Sequence, residues 1–300
     1  MSEKNEVSTY VISDIHAPFQ DDKAIDLFIQ VVRERQPDRI IILGDAVDFY
    51  ALSRFDKDPK RKKDIKYDRD EWHKIAKRIQ QAAPYATKYF VEGNHEDRLR
   101  KYLWTSASAL HDLISLDAIM RFNDFGIKNM GKEFFLDGIL FTHGDRISPH
   151  ASYTAKREHD RRGCSGMSGH THRLGWYPVR RTNPRTLEDG IEAWHETGCL
   201  CSLYPEYTRY PNWHLGWVSL TTLPGRESYD PNFVKILPGY KCFVGEKIYE
   251  LPGKKHKTWQ KPEAKIAKAN KESFDVAKVI EEYLGKRDKK KKGKNNDRKV

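Results

Sequence analysis

Five short segments of this 300-residue chain constrain it more than any bulk property. Ser13-Asp14-Ile15-His16 follows the apolar run 7–12, Gly44-Asp45-Ala46-Val47-Asp48 follows 39–43, and Gly93-Asn94-His95-Glu96 follows 86–91. Thr142-His143-Gly144-Asp145 ends a later run, and Gly169-His170-Thr171-His172 closes a short one that starts at Cys164. Five of the twelve histidines lie in these segments, four directly beside Gly, Asn or Thr and the fifth, His16, two positions after Asp14. The others (His73, His111, His150, His159, His195, His214, His256) fall in expected helices, charged loops or strand bodies, and read as ordinary surface or core histidines.

The runs before the segments decide what can bring them together. Residues 7–12, 39–43 and 86–91 read as buried strands. Between them, 21–35 carries Ala24, Leu27, Phe28, Val31 and Val32 at helical spacing, 68–83 is helical up to Pro84, and a further helix starts near Glu96. Strand-helix alternation implies an α/β layer with parallel strands. In such a sheet the C-terminal strand ends lie side by side and hold the site. Beyond Lys132 the pattern changes to strands at 134–142, 191–196, 213–220, 233–237 and 241–250, with one helix at about 150–162 and an aromatic-rich loop region over 176–217.

Taken alone, residues 93–96 allow three readings: a turn and helix cap, an anion site at a helix start, or a metal site. The spacing elsewhere favours metal. Asp14 and His16 are two apart, as are His170 and His172, so in extended backbone each pair projects to one face. Gly44, Gly93, Gly144 and Gly169 would let backbone approach an ion or a phosphate. Asp45 is the carboxylate placed between two groups of ligands. Mixed nitrogen and oxygen donors without thiolate suit two divalent ions of Mn, Fe, Zn or Co, manganese favoured.

The net charge of +11 resembles a nucleic-acid signal until it is located. Residues 251–300 hold 17 Lys+Arg against 7 Asp+Glu, a net +10, which leaves 37 against 36 in residues 1–250. The chain therefore divides into a near-neutral body, 1–250, and a basic extension, 251–300. Within the extension, 262–284 has apolar residues near helical spacing, and the lysine-rich run after it has the composition of a disordered tail. Such a tail could hold nucleic acid. Residues 51–70 form a charged insertion, either a solvated loop or a lid facing substrate. No run of 18 apolar residues predicts a membrane span, residues 1–8 lack the apolar stretch of a signal peptide, and the four scattered cysteines read as structural thiols in a reducing cytoplasm. Oligomeric state leaves no mark in the sequence.

Asp14-x-His16, Gly44-Asp45-x-x-Asp48, Gly93-Asn94-His95-Glu96, His143-Gly144 and Gly169-His170-Thr171-His172 resemble, in order, the five motifs of the calcineurin-like metallophosphoesterases. The resemblance covers residues 14–172, and the strands to about 250 fit that family's second sheet. It implies an α/β fold in which a two-sheet β-sandwich is flanked by helices. It implies that Asp14, His16 and His172 bind one metal, that Asn94, His143 and His170 bind the other, and that Asp45 bridges them. His95 is implied to stay off the metals and to protonate the leaving alcohol as general acid, with Asp48 orienting it. The implied reaction is hydrolysis of a phosphomonoester or phosphodiester by water activated between the two ions.

Departures narrow the branch without fixing the substrate. Protein Ser/Thr phosphatases carry Gly where Ala17 stands and Arg-Gly where Phe49-Tyr50 stand, so their phosphate-gripping arginine is absent from its place. Arg98 or Arg54 would have to substitute. Nuclease relatives usually have Asp where Glu96 stands. Residues 93–98 (GNHEDR) and 53–59 (SRFDKDP) are similar to bacterial and phage members. Three functions stay open: a phosphoesterase acting on a small molecule or nucleotide, a DNA or RNA nuclease using the basic tail, and a non-catalytic binding member. The presence of every ligand and of His95 disfavours the third.

Overall fold

Two β-sheets stacked face to face carry the five segments on one common edge. The computed structural model describes residues 6–54, 64–182, 189–205, 211–223 and 228–252. The expected helix at 262–284, the tail beyond it and residues 55–63 of the charged insertion lie outside the described residues.

The first half alternates as its periodicity predicts: β1 (Val7–Ile12), α1 (Asp22–Arg35), β2 (Arg39–Ile42), α2 (Ile65–Ala82), β3 (Thr87–Phe90), α3 (Glu96–Ser106), α4 (Leu116–Met120) and β4 (Ile127–Asn129). Asp21 caps α1 by accepting the N–H groups of Lys23 and Ala24, and Gln36, at φ 45°, ends it before Pro37. Asp64 caps α2 by accepting the N–H of Tyr67, so this helix starts three residues earlier than its apolar spacing suggests. Ile65 and Tyr67 in its first turn stand among charged residues, which hid the start. The strands β1 to β4 pair in parallel, and β10 (Gly216–Thr222) and β11 (Tyr229–Lys235) extend the sheet antiparallel beyond β1.

The second sheet has the order β5-β6-β7-β9-β8. The single strand expected at 134–142 is a hairpin, β5 (Glu133–Leu136) and β6 (Ile139–Thr142), turning at Asp137-Gly138 with φ 50° and 75°. Both turn residues are left-handed, which matches the right-handed twist of the strands. α5 (Tyr153–Arg162) then crosses over to β7 (Gly166–Ser168), parallel to β6. The stretch read as aromatic loop contains β8 (Leu174–Thr182), paired antiparallel with β9 (Asp189–Thr197). β8 is an edge strand whose second half is exposed, so its Arg180 and Arg181 hid it. The region 241–250 is likewise a hairpin, β12 (Lys241–Val244) and β13 (Lys247–Glu250).

Alternation along the strands builds the layers. Val11, Ile41, Leu43, Val91, Val218 and Leu220 of the first sheet face Ile139, Phe141 and Met167 of the second, all buried. Tyr10, Ile12, Ile40, Ile42 and Phe90 point the other way, onto α1 and onto Trp72, Ile75, Ala76 and Ile79 of α2. On the outer face of the second sheet Leu140 and Trp194 pack with Ala155 of α5. The fold is thus a two-sheet sandwich flanked by helices, the metallophosphoesterase fold.

The sandwich core should behave as one packed body. Phe141 is 1% exposed and Phe135, on the neighbouring strand, 63%. Phe141→Ala is expected to cost about 3–5 kcal/mol in urea unfolding, while Phe135→Ala stays within about 0.5 kcal/mol. Equal shifts in the two midpoints would contradict this layering.

Candidate metal centre

The loops leaving β1, β2, β3, β6 and β7 meet at one end of the sandwich, three from the first sheet and two from the second. The first two continue their strand pairing: Asp14 N–H donates to the Gly44 carbonyl (3.1 Å) and His16 N–H to that of Asp45 (2.8 Å). Asp14, His16, Asp45, His170 and His172 all have left-handed backbone, with φ 53°, 51°, 49°, 66° and 57°. The extended geometry expected of the Asp14/His16 and His170/His172 pairs is therefore replaced by a tighter one. Non-glycine residues rarely adopt it, and such strain collects at functional sites. Glycine has a different use from the one expected. A Cβ on Gly93 would collide with the Asp45 carboxylate and lie 2.5 Å from the Asp45 nitrogen, and one on Gly44 would lie 2.5 Å from the Gly93 nitrogen. These glycines let the β2 and β3 loops touch each other.

Two groups of donor atoms result. In the first, His172 Nε2 lies 3.1 Å from both Asp14 Oδ1 and His16 Nε2. In the second, His143 Nε2 lies 3.1 Å from Asn94 Oδ1, 3.3 Å from His170 Nδ1 and 3.2 Å from Asp45 Oδ2. The same Asp45 oxygen is 3.7 Å from His16 Nε2, so it belongs to both groups. Cys201 Sγ stands 3.6 Å from His172 Nδ1, behind the ring, and Trp213 packs on that ring with centroids 4.2 Å apart. In the sequence Cys201 reads only as a structural thiol and Trp213 only as the start of a strand. All four cysteines are free thiols.

Beside these groups, His95 Nδ1 lies 2.9 Å from both Asp48 Oδ1 and the Asp48 carbonyl. Arg98 donates to that carbonyl (2.6 Å) and sits 2.9 Å from His95 Nε2. His95 Nε2 is 3.7 Å from Asp45 Oδ2. Arg54 is exposed at the end of the described segment 6–54. The residue that sequence reasoning undervalued is Glu96, treated only as a departure from Asp. It is 2% exposed, and its carboxylate accepts the backbone N–H groups of Gly93 (2.8 Å), Asp45 (2.9 Å), Ala46 (2.9 Å) and Val47 (3.3 Å).

Residues 7–253 match the model of the calcineurin-like phosphoesterase family. The chain belongs to the calcineurin-like phosphoesterases. It is 30% identical over 271 residues to the gene 54 protein of Mycobacterium phage L5, covering 80% of this chain and 98% of that protein. It is 30% identical over 184 residues to the gene 54 protein of Mycobacterium phage D29, covering 56% and 70%. Among solved structures, Vps29 of Chaetomium thermophilum is similar at 10% identity and TM-score 0.42, covering 84% of this chain and 99% of that one. Among the described residues no helix is long and apolar enough to cross a membrane.

Metallophosphoesterase membership makes divalent ions the expected occupants, and the donor atoms test that. His143 Nδ1 is 2.6 Å from the Leu43 carbonyl and must donate to it, which leaves Nε2 of the neutral ring with a lone pair. That lone pair faces the oxygens of Asn94 and Asp45. Asp14 Oδ1 is buried and receives no hydrogen bond. Converging lone pairs repel unless a proton or a cation sits among them. In the metal-free chain protons serve: burial works against a charged His143, but Asp45 overrides it and pushes the ring up to about 9. Burial also works against the charge of Asp14, but His172 and His16 hold it well below the usual carboxylate range. His170 falls to about 4, first through burial and then through the charge of His143. The residues therefore fit two divalent cations with nitrogen and oxygen donors.

Chelation should then destabilise the fold. Manganese at about 100 times its dissociation constant is expected to add roughly 2.7 kcal/mol per site to unfolding stability relative to chelated protein. His143→Asn should lose much of that gain. A melting temperature indifferent to chelator and to Mn²⁺ would contradict the fit.

Proposed function

We propose that this protein is a dinuclear metal-dependent phosphoesterase that hydrolyses a phosphomonoester or phosphodiester of a small molecule or nucleotide. The observation that carries the reading is the pair of donor groups sharing Asp45 Oδ2, with the His95–Asp48 pair beside them. Asp14, His16 and His172 would hold one ion, Asn94, His143 and His170 the other, and Asp45 would bridge. Manganese is the favoured ion, and the cytoplasm, where free thiols stay reduced, the favoured compartment. Two ions so placed would polarise the phosphoryl oxygens and acidify water.

The remaining work falls to side chains. Once Arg98 has left its Nε2 and that nitrogen has taken up a proton from solvent, the His95 imidazolium gives that proton to the ester oxygen as the P–O bond breaks, which releases an alcohol in place of an alkoxide. Asp48 accepts from Nδ1–H throughout, so the ring stays oriented and its other nitrogen faces the substrate. Arg98 rests against that nitrogen. A phosphoryl oxygen offers the guanidinium a stronger, charge-assisted partner. Its departure to substrate would free His95 Nε2 and supply the phosphate contact that Phe49-Tyr50 do not. Arg54, exposed at the end of the described segment 6–54, is the other candidate for that contact.

His95→Asn should keep its metal and lower kcat for esters with poor leaving groups by about 10²–10⁴-fold, with a much smaller loss for nitrophenyl esters. His143→Asn should lower metal content and both rates together. If His95→Asn strips metal, or slows both substrates equally, His95 is a ligand or a phosphate clamp.

A second reading, a nuclease that holds its substrate by the basic extension, is favoured by the net +10 of residues 251–300. Binding through that extension should weaken steeply with salt. A chain ended after Pro252 is expected to keep hydrolysing small chromogenic esters. Loss of polynucleotide cleavage alone, with a flattened salt dependence, would support the nuclease reading. Unchanged cleavage would remove the extension from the reaction.

A further inference from the structure

Four backbone N–H groups converge on the Glu96 carboxylate, and they come from two different loops. Oε1 accepts from Ala46 (2.9 Å) and Val47 (3.3 Å), and Oε2 accepts from Asp45 (2.9 Å) and Gly93 (2.8 Å). Three successive amides curling round one anion form a nest, a shape that elsewhere binds phosphate. Here the chain fills it with its own buried side chain. The left-handed φ of 49° at Asp45 is what turns those amides inward, and the same turn aims the Asp45 side chain at the donor groups.

We propose that Glu96 is the positioning residue of the metal centre, a clamp that fixes the bridging Asp45 and the Asn94/His95 turn as one rigid unit. The proposal rests on the dinuclear reading above. Glu96 bonds backbone and not the donor atoms themselves. It holds the β2 loop at Asp45, Ala46 and Val47, and the β3 loop at Gly93, next to Asn94. His95 N–H closes the unit from the other side by donating to Asp45 Oδ1 at 2.9 Å. The glycine at 93 belongs to the same device, because only it lets the two loops approach closely enough to share one carboxylate.

The clamp is asymmetric with respect to the two groups. Asp45, on one clamped loop, serves both groups, while Asn94, on the other, serves the His143 group alone. Asp14, His16 and His172 stand on the β1 and β7 loops, which Glu96 does not contact. Loosening the clamp should therefore weaken the second ion more than the first. Glutamine is the sharpest probe, since it keeps the shape but turns one acceptor oxygen into an N–H₂ that confronts backbone donors.

The test uses the full chain and Mn²⁺. Calorimetric titration should give the parent two ions per chain. Glu96→Gln should retain the tighter ion and lose about 10–100-fold in affinity for the weaker one, the usual effect of an outer-shell partner. Saturating Mn²⁺ should restore kcat. Glu96→Asp keeps the charge one methylene short and should fall between. Amide exchange at Asp45, Ala46, Val47 and Gly93 should speed up in metal-free Glu96→Gln, a readout independent of turnover. Ile79→Ala, in the helix-side core, lowers the melting temperature by a route that should leave both affinities unchanged. A Glu96→Gln protein with parental affinities at both sites, or with both weakened equally, overturns the clamp. A Glu96→Gln chain that does not fold, while Glu96→Asp binds both ions as the parent does, also overturns it. A parent that takes up fewer than two ions overturns the dinuclear reading and the clamp with it.

Discussion

Asp45 is 1% exposed, and its two oxygens do different work. One receives the N–H of His95, and the other faces imidazole nitrogens of His143, His16 and His95 at 3.2, 3.7 and 3.7 Å. Burying a carboxylate is costly unless charge and hydrogen bonds compensate it. That requirement organises what surrounds it. Imidazoles must come from both sheets, the loops must turn left-handed to aim them, and glycines must stand at 44 and 93 so that loops can touch. A second carboxylate, Glu96, shares the interior, and burial together with the charge of Asp45 pushes its carboxyl up to about 7 against the pull of its backbone donors. Two neighbouring buried carboxylates are tolerable because one is surrounded by N–H groups and the other by imidazoles.

Much of this was legible in the sequence because the governing patterns are local. Strands 7–12 and 39–43 announce themselves by the apolar runs 10–12 and 40–43, as strands buried on both faces do. The histidine segments stand out because nothing in a packed core needs Asn, His and two carboxylates in a row. The misreadings also have local causes. Asp137-Gly138 carried a hairpin signal that the long apolar run 134–142 overrode. β8 ends in arginines because it is an edge, so its period is read on only one side. The backbone of the site was not legible, since left-handed φ at Asp14 and His16 is imposed by the neighbouring loop through tertiary hydrogen bonds. The role of Glu96 was hidden for the same reason. Its partners include backbone amides some fifty positions away, which no spacing rule connects.

The local strain tells where the structure has no freedom. Left-handed backbone costs a non-glycine residue about 1–2 kcal/mol, and five of the residues in the two donor groups carry it. Each is held by a partner that would be lost on relaxation. His170 N–H donates to Asp14 Oδ2 at 3.0 Å, Leu200 N–H to the Asp14 carbonyl at 3.1 Å, and His214 N–H to that of His172 at 2.8 Å. The last two donors lie in the chain that leads from β9 to β10. The strands that close the sandwich late in the sequence thus lock loops made early in it.

Each donor group draws on both sheets. The first joins Asp14 and His16, after β1, to His172, after β7. The second joins Asn94, after β3, to His143 and His170, after β6 and β7. No group is complete within one layer, so ions bound there would fasten the sheets to each other at the end where the apolar core of Val11, Leu43, Phe141 and Met167 gives way to polar loops. Binding to the native state alone stabilises it, and by the same linkage anything that lets the sheets slide must weaken binding. The sandwich core and the ligand loops therefore act on one another through a single equilibrium. A cavity made at Phe141, on the strand that leads directly into His143, belongs to the same energetic unit as that donor.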